Sequence, residues 1–123
     1  MSEGKLILIA DDEPLLTELL EFRLGARGYR TVVAHDGREA LAKLDEAKPD
    51  AVVLDAMMPV HDGFEVLRRM RANDAHKDIP VIMLTARRGE QDVLGALELG
   101  ANEYLVKPFM PEELLMRLGR IIR

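Results

Sequence analysis

The sequence predicts an α/β protein, with one doubly wound, five-stranded parallel sheet and five helices packed around it. Two observations carry this prediction. Short apolar segments alternate along the chain with longer segments whose apolar residues recur at helical spacing. Glycine or proline stands at several of the junctions between them. Strands separated in this way by helices form βαβ units, which pair their strands in parallel.

The composition of the five predicted strands indicates their places in the sheet. In chain order they are KLILIA (5–10), YRTVVA (29–34), AVVLDA (51–56), VIMLTA (81–86) and EYLVK (103–107). The first, third and fourth are apolar on both faces, as strands covered by helices on both sides are. The second and fifth carry polar residues and suit the edges. With right-handed crossovers this placement is consistent with the order 2-1-3-4-5, in which ligands bind outside the carboxyl ends of strands 1 and 3.

The five predicted helices follow the strands in turn. They are PLLTELLEFRLGARG (14–28), DGREALAKLDEA (36–47), GFEVLRRMRA (63–72), EQDVLGALELG (90–100) and PEELLMRLGRII (111–122). Pro14 stands near the start of the first helix, where its missing N–H costs little, and Gly28 marks its end. Asp36 and Glu39 have the spacing of a capping box at the start of the second helix. Pro49 prevents that helix from continuing.

Length and composition favour a single globular domain over residues 1–123, since the chain is 48% hydrophobic and 32% charged. The net charge of −5 argues against direct nucleic-acid binding by this domain. The absence of cysteine excludes disulfides and zinc–sulfur sites and fits a reducing compartment, so we expect a cytoplasmic protein. No segment approaches the roughly 20 apolar residues of a membrane helix, and we expect no signal peptide. The histidines at 35, 61 and 76 lack metal-ligand spacing and are expected at the surface.

An unusual concentration of acid follows the first strand. The apolar run ends in Asp11, Asp12 and Glu13, and Pro14 comes next. Like charges crowded at the edge of a core repel one another and lose hydration. Either a cation balances these carboxylates or all of them face water, although one of the aspartates could also cap the first helix.

The last residues of the other strands favour the cation. The third strand ends at Asp55, the fourth at Thr85 and the fifth at Lys107. In a parallel sheet these ends share one rim with the acidic pair of the first strand. Carboxylate ligands suit Mg²⁺. A rim with Mg²⁺, a lysine and a hydroxyl group can accept a phosphoryl group on Asp55, because metal and lysine neutralise the transferring oxygens.

Four segments, ADDEP, LDAMMP..DG, MLTA and YLVKPF, resemble the response-regulator receiver domain in order and spacing, essentially from end to end. The resemblance implies a flavodoxin-like fold and a two-component signalling function. Asp55 would be the phosphoacceptor. It would hold Mg²⁺ together with Asp11, Asp12 and the backbone carbonyl of Met57. The resemblance also implies phosphate contacts from Thr85 and Lys107, a cis Lys107–Pro108 bond, and a switch formed by Thr85 and Tyr104.

The same resemblance implies the partners. A sensor histidine kinase or phosphotransfer protein would supply the phosphoryl group from a phosphohistidine, and an output domain or target protein would respond. Movement of Thr85 would open a space for Tyr104 and change the surface of helix 4, strand 5 and helix 5. A homodimer through that surface is possible, since Glu103 and Arg117 could pair across it. Other positions there depart from the family pattern, so we predict no particular output.

The domain would be a regulatory phosphoacceptor rather than an enzyme, catalysing only its own phosphorylation and slow dephosphorylation. The residues two past the phosphoacceptor and two past the threonine are Met57 and Arg87, and neither orients an attacking water. Three alternatives stay open at this point. A metal-dependent phosphatase usually has a second acid two residues after its nucleophile, where this chain has Met57. A cofactor-binding module would need a phosphate-binding loop rich in glycine, serine and threonine after strand 1. An interaction domain that works without phosphorylation would not need the site residues.

Overall fold

The computed structural model describes residues 4–86 and 90–122, and over 90–93 it describes the backbone alone. The strands are β1 (Leu6–Ala10), β2 (Arg30–Ala34), β3 (Ala51–Asp55), β4 (Val81–Thr85) and β5 (Glu103–Val106). The helices are α1 (Pro14–Ala26), α2 (Gly37–Ala47), α3 (Gly63–Ala72), α4 (Glu90–Leu99) and α5 (Pro111–Ile121). Each predicted element is present, and its ends lie within two residues of the predicted ones.

The strands form one parallel sheet in the order β2-β1-β3-β4-β5, which confirms the predicted topology. Side chains on its two faces enter two separate core clusters. One cluster packs under α2, α3 and α4 and includes Leu54, Leu67 and Met83. The other packs under α1 and α5 and includes Ile9 and Leu114. Both β3 and β4 are buried along their whole length, which agrees with the apolar residues on both faces of each strand ahead of its polar last residue.

Local capping explains where two of the helices begin. Asp36 accepts a hydrogen bond from the Glu39 N–H at 2.7 Å, as its spacing predicted. The Glu39 carboxylate accepts one from the N–H of His35 at 2.6 Å, one residue before the position that a capping box uses. Asp62 caps α3 in the same way, by accepting from the Glu65 N–H at 2.9 Å.

One surface prediction is wrong. His76 is only 7% exposed, and its Nε2 lies 3.1 Å from Asp45 Oδ1. It precedes β4 in a loop that folds against the end of α2, a contact that the local sequence does not reveal. Within the described residues, no helix has both the length and the apolarity that a membrane crossing needs.

Candidate functional site

Four strands end at one rim of the sheet, and each brings a polar side chain there. Asp55 and Thr85 are the last residues of β3 and β4, and Asp11 and Lys107 come directly after β1 and β5. The first three are buried, and Lys107 is half-buried. The order of the sheet makes these strands successive neighbours. Parallel pairing therefore brings together side chains that lie up to 96 positions apart in the chain.

Three carboxylates form an acidic cluster at this rim. Asp11, Asp12 and Asp55 each offer one oxygen, and these oxygens lie within 4.8 Å of one another. One oxygen of Asp11 accepts a hydrogen bond from the Glu13 N–H at 2.9 Å. One oxygen of Asp55 accepts a longer bond, 3.4 Å, from the Met57 N–H. Asp11 and Asp55 are buried while Asp12 is exposed, so the cluster is open to water on one side. Such a donor set fits Mg²⁺, which favours carboxylates and keeps several waters.

The Lys107 ammonium lies directly beside these acids. Its Nζ is 2.9 Å from Asp11 Oδ2, 2.8 Å from Glu13 Oε1 and 3.5 Å from Asp55 Oδ1. Burial on its own lowers the pKa of Lys107. The hydrogen bonds from its ammonium to Glu13 and Asp11, together with the charges of Asp11 and Asp55, outweigh burial and raise the pKa above its ordinary value. The lysine is therefore a permanent positive charge at the rim.

The pKa of Asp55 stays raised although the Lys107 ammonium lies nearby. Burial, followed by the charge of Asp11, raises its pKa from 3.8 to about 6. The charge of Lys107 and the Met57 N–H act in the opposite direction but do not cancel the rise. The ionised form of Asp55 is thus destabilised by its surroundings. A further positive charge at the cluster relieves that cost.

Of the remaining residues named from the sequence, the structure describes Met57 and Tyr104, and their individual roles stay predictions. Met57 directs its N–H toward Asp55, whereas its proposed use is through the carbonyl. Tyr104 lies on β5 opposite Met83 of β4, two residues before the position that pairs with Thr85. Its side chain is half-buried against the core. Arg87 lies outside the described residues. Asp11 does not cap α1, since its carboxylate accepts from the N–H of Glu13, ahead of the helix, and the N-cap residue Glu13 makes no side-chain capping bond.

The loop after Asp55 is held against the strand end by a close backbone contact. The Gly63 N–H donates to the carbonyl oxygen of Ala56 at 2.9 Å. A Cβ on Gly63 would lie 2.2 Å from the carbonyl oxygen of Asp55 and 2.8 Å from the Cα of Ala56. No side chain fits there, which gives the glycine of the LDAMMP..DG segment a physical reason. The start of α3 and the position of Asp55 therefore depend on each other.

The same loop contains a strained residue that the sequence did not predict. Val60 has φ of 73°, in the left-handed region that β-branched residues avoid. The His61 N–H donates to the Pro59 carbonyl at 3.0 Å, so Val60 is the centre of a three-residue turn. The Gly37 N–H also donates to Pro59, at 3.1 Å, and fixes the turn against α2.

Replacing Val60 by glycine should stabilise the protein. Val60 is 61% exposed, so little burial is lost, and the relief of strain should exceed the entropic cost of glycine by about 1 kcal/mol. The free energy of unfolding in urea measures the difference. Val60→Ala keeps the Cβ and serves as the control, with a smaller gain expected. A Val60→Gly protein less stable than the wild type would contradict the assignment of strain.

The chain is therefore a doubly wound parallel α/β domain with a carboxylate cluster and a lysine at the carboxyl ends of its strands. The sequence model of the family described as "Response regulator receiver domain" matches residues 7–119. The chain belongs to this family, and its function is that of a receiver domain in two-component response regulators. Receiver domains are regulatory rather than classical enzymes, and they bind Mg²⁺ at an acidic site.

Curated relatives are longer proteins. The chain is 46% identical over 117 residues to the transcriptional regulatory protein TrcR of Mycobacterium tuberculosis. This match covers 95% of this chain and 45% of that protein. It is 44% identical over 120 residues to the alkaline phosphatase synthesis transcriptional regulatory protein PhoP of Bacillus subtilis, which covers 98% and 49%. The chain thus spans about half the length of the curated relatives it matches.

Solved structures share the fold closely. The chemotaxis response regulator CheY4 of Vibrio cholerae has a TM-score of 0.90 at 36% identity, covering 96% of this chain and 98% of that one. The receiver domain of the sensor histidine kinase PA1611 of Pseudomonas aeruginosa has a TM-score of 0.87 at 35% identity, covering 97% and 98%. The latter is described with a magnesium ion coordinated in its active site cleft.

Proposed function

We propose that this domain accepts a phosphoryl group on Asp55 in a Mg²⁺-dependent reaction and transmits the change through α4, β5 and α5. The proposal rests mainly on the environment of the Asp55 carboxylate. It is a buried carboxylate with a raised pKa, it lies within reach of two other acids, and a lysine ammonium is 3.5 Å away. Family membership supports the same reaction.

The reaction balances with groups at the rim. An oxygen of Asp55 forms a bond to phosphorus, the P–N bond of a phosphohistidine breaks, and its electron pair returns to the imidazole, which later takes up a proton. Lys107 neutralises negative charge on the transferring oxygens, and the Thr85 hydroxyl donates a hydrogen bond to one of them. Asp11, Asp12, Asp55 and the Met57 carbonyl would hold Mg²⁺, which when bound supplies further positive charge for the same oxygens.

The rim is accessible to a donor of this kind. An open cleft of about 400 Å³ lies beside Lys107 and is lined by Glu13, Leu16, Ala86, Lys107, Pro108 and Phe109. Next to it, α1 exposes Leu15, Leu19 and Phe22, one above the other at helical spacing. This apolar surface suits contact with a protein donor, such as a sensor histidine kinase or phosphotransfer protein, better than contact with a small charged molecule alone. We assign the reaction to the cytoplasm, where ATP sustains such donors.

The switch would use Thr85 and Tyr104. Phosphorylation would draw the Thr85 hydroxyl toward the phosphoryl group, and Tyr104 would move into the space beside it, changing α4, β5 and α5. An output domain or target protein would detect this change, and nucleic-acid contacts would belong to that partner. We expect slow self-dephosphorylation, because the exposed Met57 side chain has no group that orients water.

A homodimer through the same surface is compatible with the structure but requires a rearrangement. Arg117 Nη1 lies 2.8 Å from Glu103 Oε1 within the same chain, and Arg120 contacts the same carboxylate at 3.1 Å. A pair across subunits would have to replace these contacts. Leu94 and Leu97 of α4 are exposed near this face and could be covered in the dimer.

Intact mass measurement with an acyl phosphate donor tests the phosphoacceptor. The wild type should gain one phosphoryl group when Mg²⁺ is present and none when the metal is chelated. Asp55→Asn should gain none under either condition, because an amide is a poor nucleophile toward phosphorus. Asp74→Asn is the matched control, since Asp74 is almost fully exposed and pairs only with Lys77 among the described residues. Asp74→Asn should gain the phosphoryl group as the wild type does. If Asp55→Asn gained it to the same extent, the acceptor would lie elsewhere.

A further inference from the structure

Glu13 stands at a helix start without acting as its cap. It is the residue before α1, but its carboxylate makes no capping hydrogen bond to the helix. N-cap positions favour short polar side chains that bond to the first turn, and glutamate is not among them. Pro14 follows at the first helical position and removes one N–H that a cap would otherwise satisfy. The side chain of Glu13 is thus used for a different contact.

That contact is with Lys107. Glu13 Oε1 accepts a hydrogen bond from Lys107 Nζ at 2.8 Å, as short as the 2.9 Å bond that Nζ makes to Asp11. The Glu13 backbone N–H meanwhile donates to the other oxygen of Asp11. Residue 13 therefore holds both members of the Asp11–Lys107 pair. The Nζ–Asp55 distance of 3.5 Å is longer than either of these two hydrogen bonds.

We infer that Glu13 is a positioning residue that competes with the phosphoryl group for the Lys107 ammonium and so favours the unphosphorylated state. The inference rests on the proposed function of Asp55. An ammonium has three donors, and two of them are committed to Glu13 and Asp11. A phosphoryl group on Asp55 would add anionic oxygens within reach of the same ammonium, since Nζ lies 3.5 Å from Asp55 Oδ1. The Glu13 side chain is 60% exposed, so its carboxylate can return to water when the ammonium leaves it.

Neutralising Glu13 has two effects that act in the same direction. It replaces the charged acceptor that competes for Lys107 by a weaker, neutral one, and it removes one negative charge from the surroundings of an incoming anion. Both strengthen the binding of a phosphoryl analogue. For Mg²⁺ without the analogue the direction is opposite, because Lys107 then turns fully to the metal-binding carboxylates. Loss of a contact that only supported the fold would not strengthen binding of the phosphoryl analogue and weaken binding of Mg²⁺ at the same time.

The test compares wild type, Glu13→Gln and Glu18→Gln in the folded domain, using beryllofluoride as the phosphoryl analogue at saturating Mg²⁺. Glu18 is an exposed glutamate of α1, so its substitution removes the same charge away from the rim. Glu13→Gln should bind beryllofluoride about two- to fivefold more tightly than wild type, the range expected for loss of a partly exposed ion pair. It should bind Mg²⁺ alone more weakly. Glu18→Gln should match the wild type in both titrations.

The ¹⁵N signal of the Lys107 ammonium provides a second measurement. It should differ between wild type and Glu13→Gln in the free domain and coincide once beryllofluoride is bound, because the ammonium has then left Glu13. Unchanged or weaker beryllofluoride binding by Glu13→Gln, with normal binding by wild type, overturns this inference and leaves the proposed function standing. Failure of the wild type to bind beryllofluoride overturns the proposed function and the inference together.

Discussion

Gly63→Ala should destabilise the protein by about 3 kcal/mol, a large effect for the addition of one methyl group. The added Cβ would lie 2.2 Å from the Asp55 carbonyl oxygen and 2.8 Å from the Ala56 Cα. Both neighbours are backbone atoms, so neither can rotate away as a side chain would. Either α3 shifts outward or the end of β3 is displaced, and phosphoryl uptake should fall with the displacement of Asp55. Urea unfolding at pH 7.5 measures the change in stability.

Gly119→Ala is the matched control for this prediction. Gly119 lies inside α5, and a Cβ there would meet no atom within 4 Å among the described residues. The substitution should stabilise the protein by about 0.5 to 1 kcal/mol, since alanine is the better helix former. If Gly63→Ala and Gly119→Ala had similar stabilities, the close packing of the loop against β3 would be wrong.

Asp55→Asn should stabilise the metal-free protein by about 1 to 3 kcal/mol at pH 8, even though it removes the proposed function. Burial and the charge of Asp11 raise the pKa of Asp55 from 3.8 to about 6, so the folded state binds the proton more tightly than the unfolded state. The ionised carboxylate therefore destabilises the fold fully above about pH 6. An asparagine of similar shape has no charge to desolvate.

The sign of this effect gives a pH dependence that can be measured. As the pH falls from 6 to 4, Asp55 takes up its proton and the stability difference between wild type and Asp55→Asn should shrink. Adding Mg²⁺ at pH 8 should also narrow the difference, because the metal stabilises the wild type more than the variant. Thermal unfolding with and without the metal provides both comparisons. An Asp55→Asn protein that is less stable than wild type without metal at pH 8 would contradict the electrostatic argument.

Most of the fold could be predicted from the sequence because its signals are local. Continuous apolar runs such as AVVL mark strands buried on both faces, and Pro14 and Asp36 mark helix starts. Polarity placed β2 and β5 at the edges of the sheet, which is consistent with the observed order but does not by itself fix the order of the inner strands. The convergence of Asp11, Asp55 and Lys107 followed in turn from parallel topology.

Other features depend on contacts that no single segment encodes. His76 becomes buried because a loop folds over α2, and nothing in its own segment indicates this. The turn at Val60 is anchored by the Gly37 N–H bond to Pro59, more than 20 positions away in the chain, and no local pattern predicts its φ. In the sequence, Glu13 is simply the third member of an acidic run. The structure shows that it pairs with Lys107.

The central claim is that crowded carboxylates at the rim, balanced by Lys107 and Mg²⁺, make Asp55 the phosphoacceptor. The most direct test labels the wild type with an acyl phosphate, with Mg²⁺ or with a chelator, and then reduces it with borohydride, which converts an aspartyl phosphate to homoserine. Peptide mass mapping locates the product. We expect homoserine at position 55 alone and only in the sample with Mg²⁺. Homoserine at another position, or equal conversion without a divalent metal, would contradict the claim.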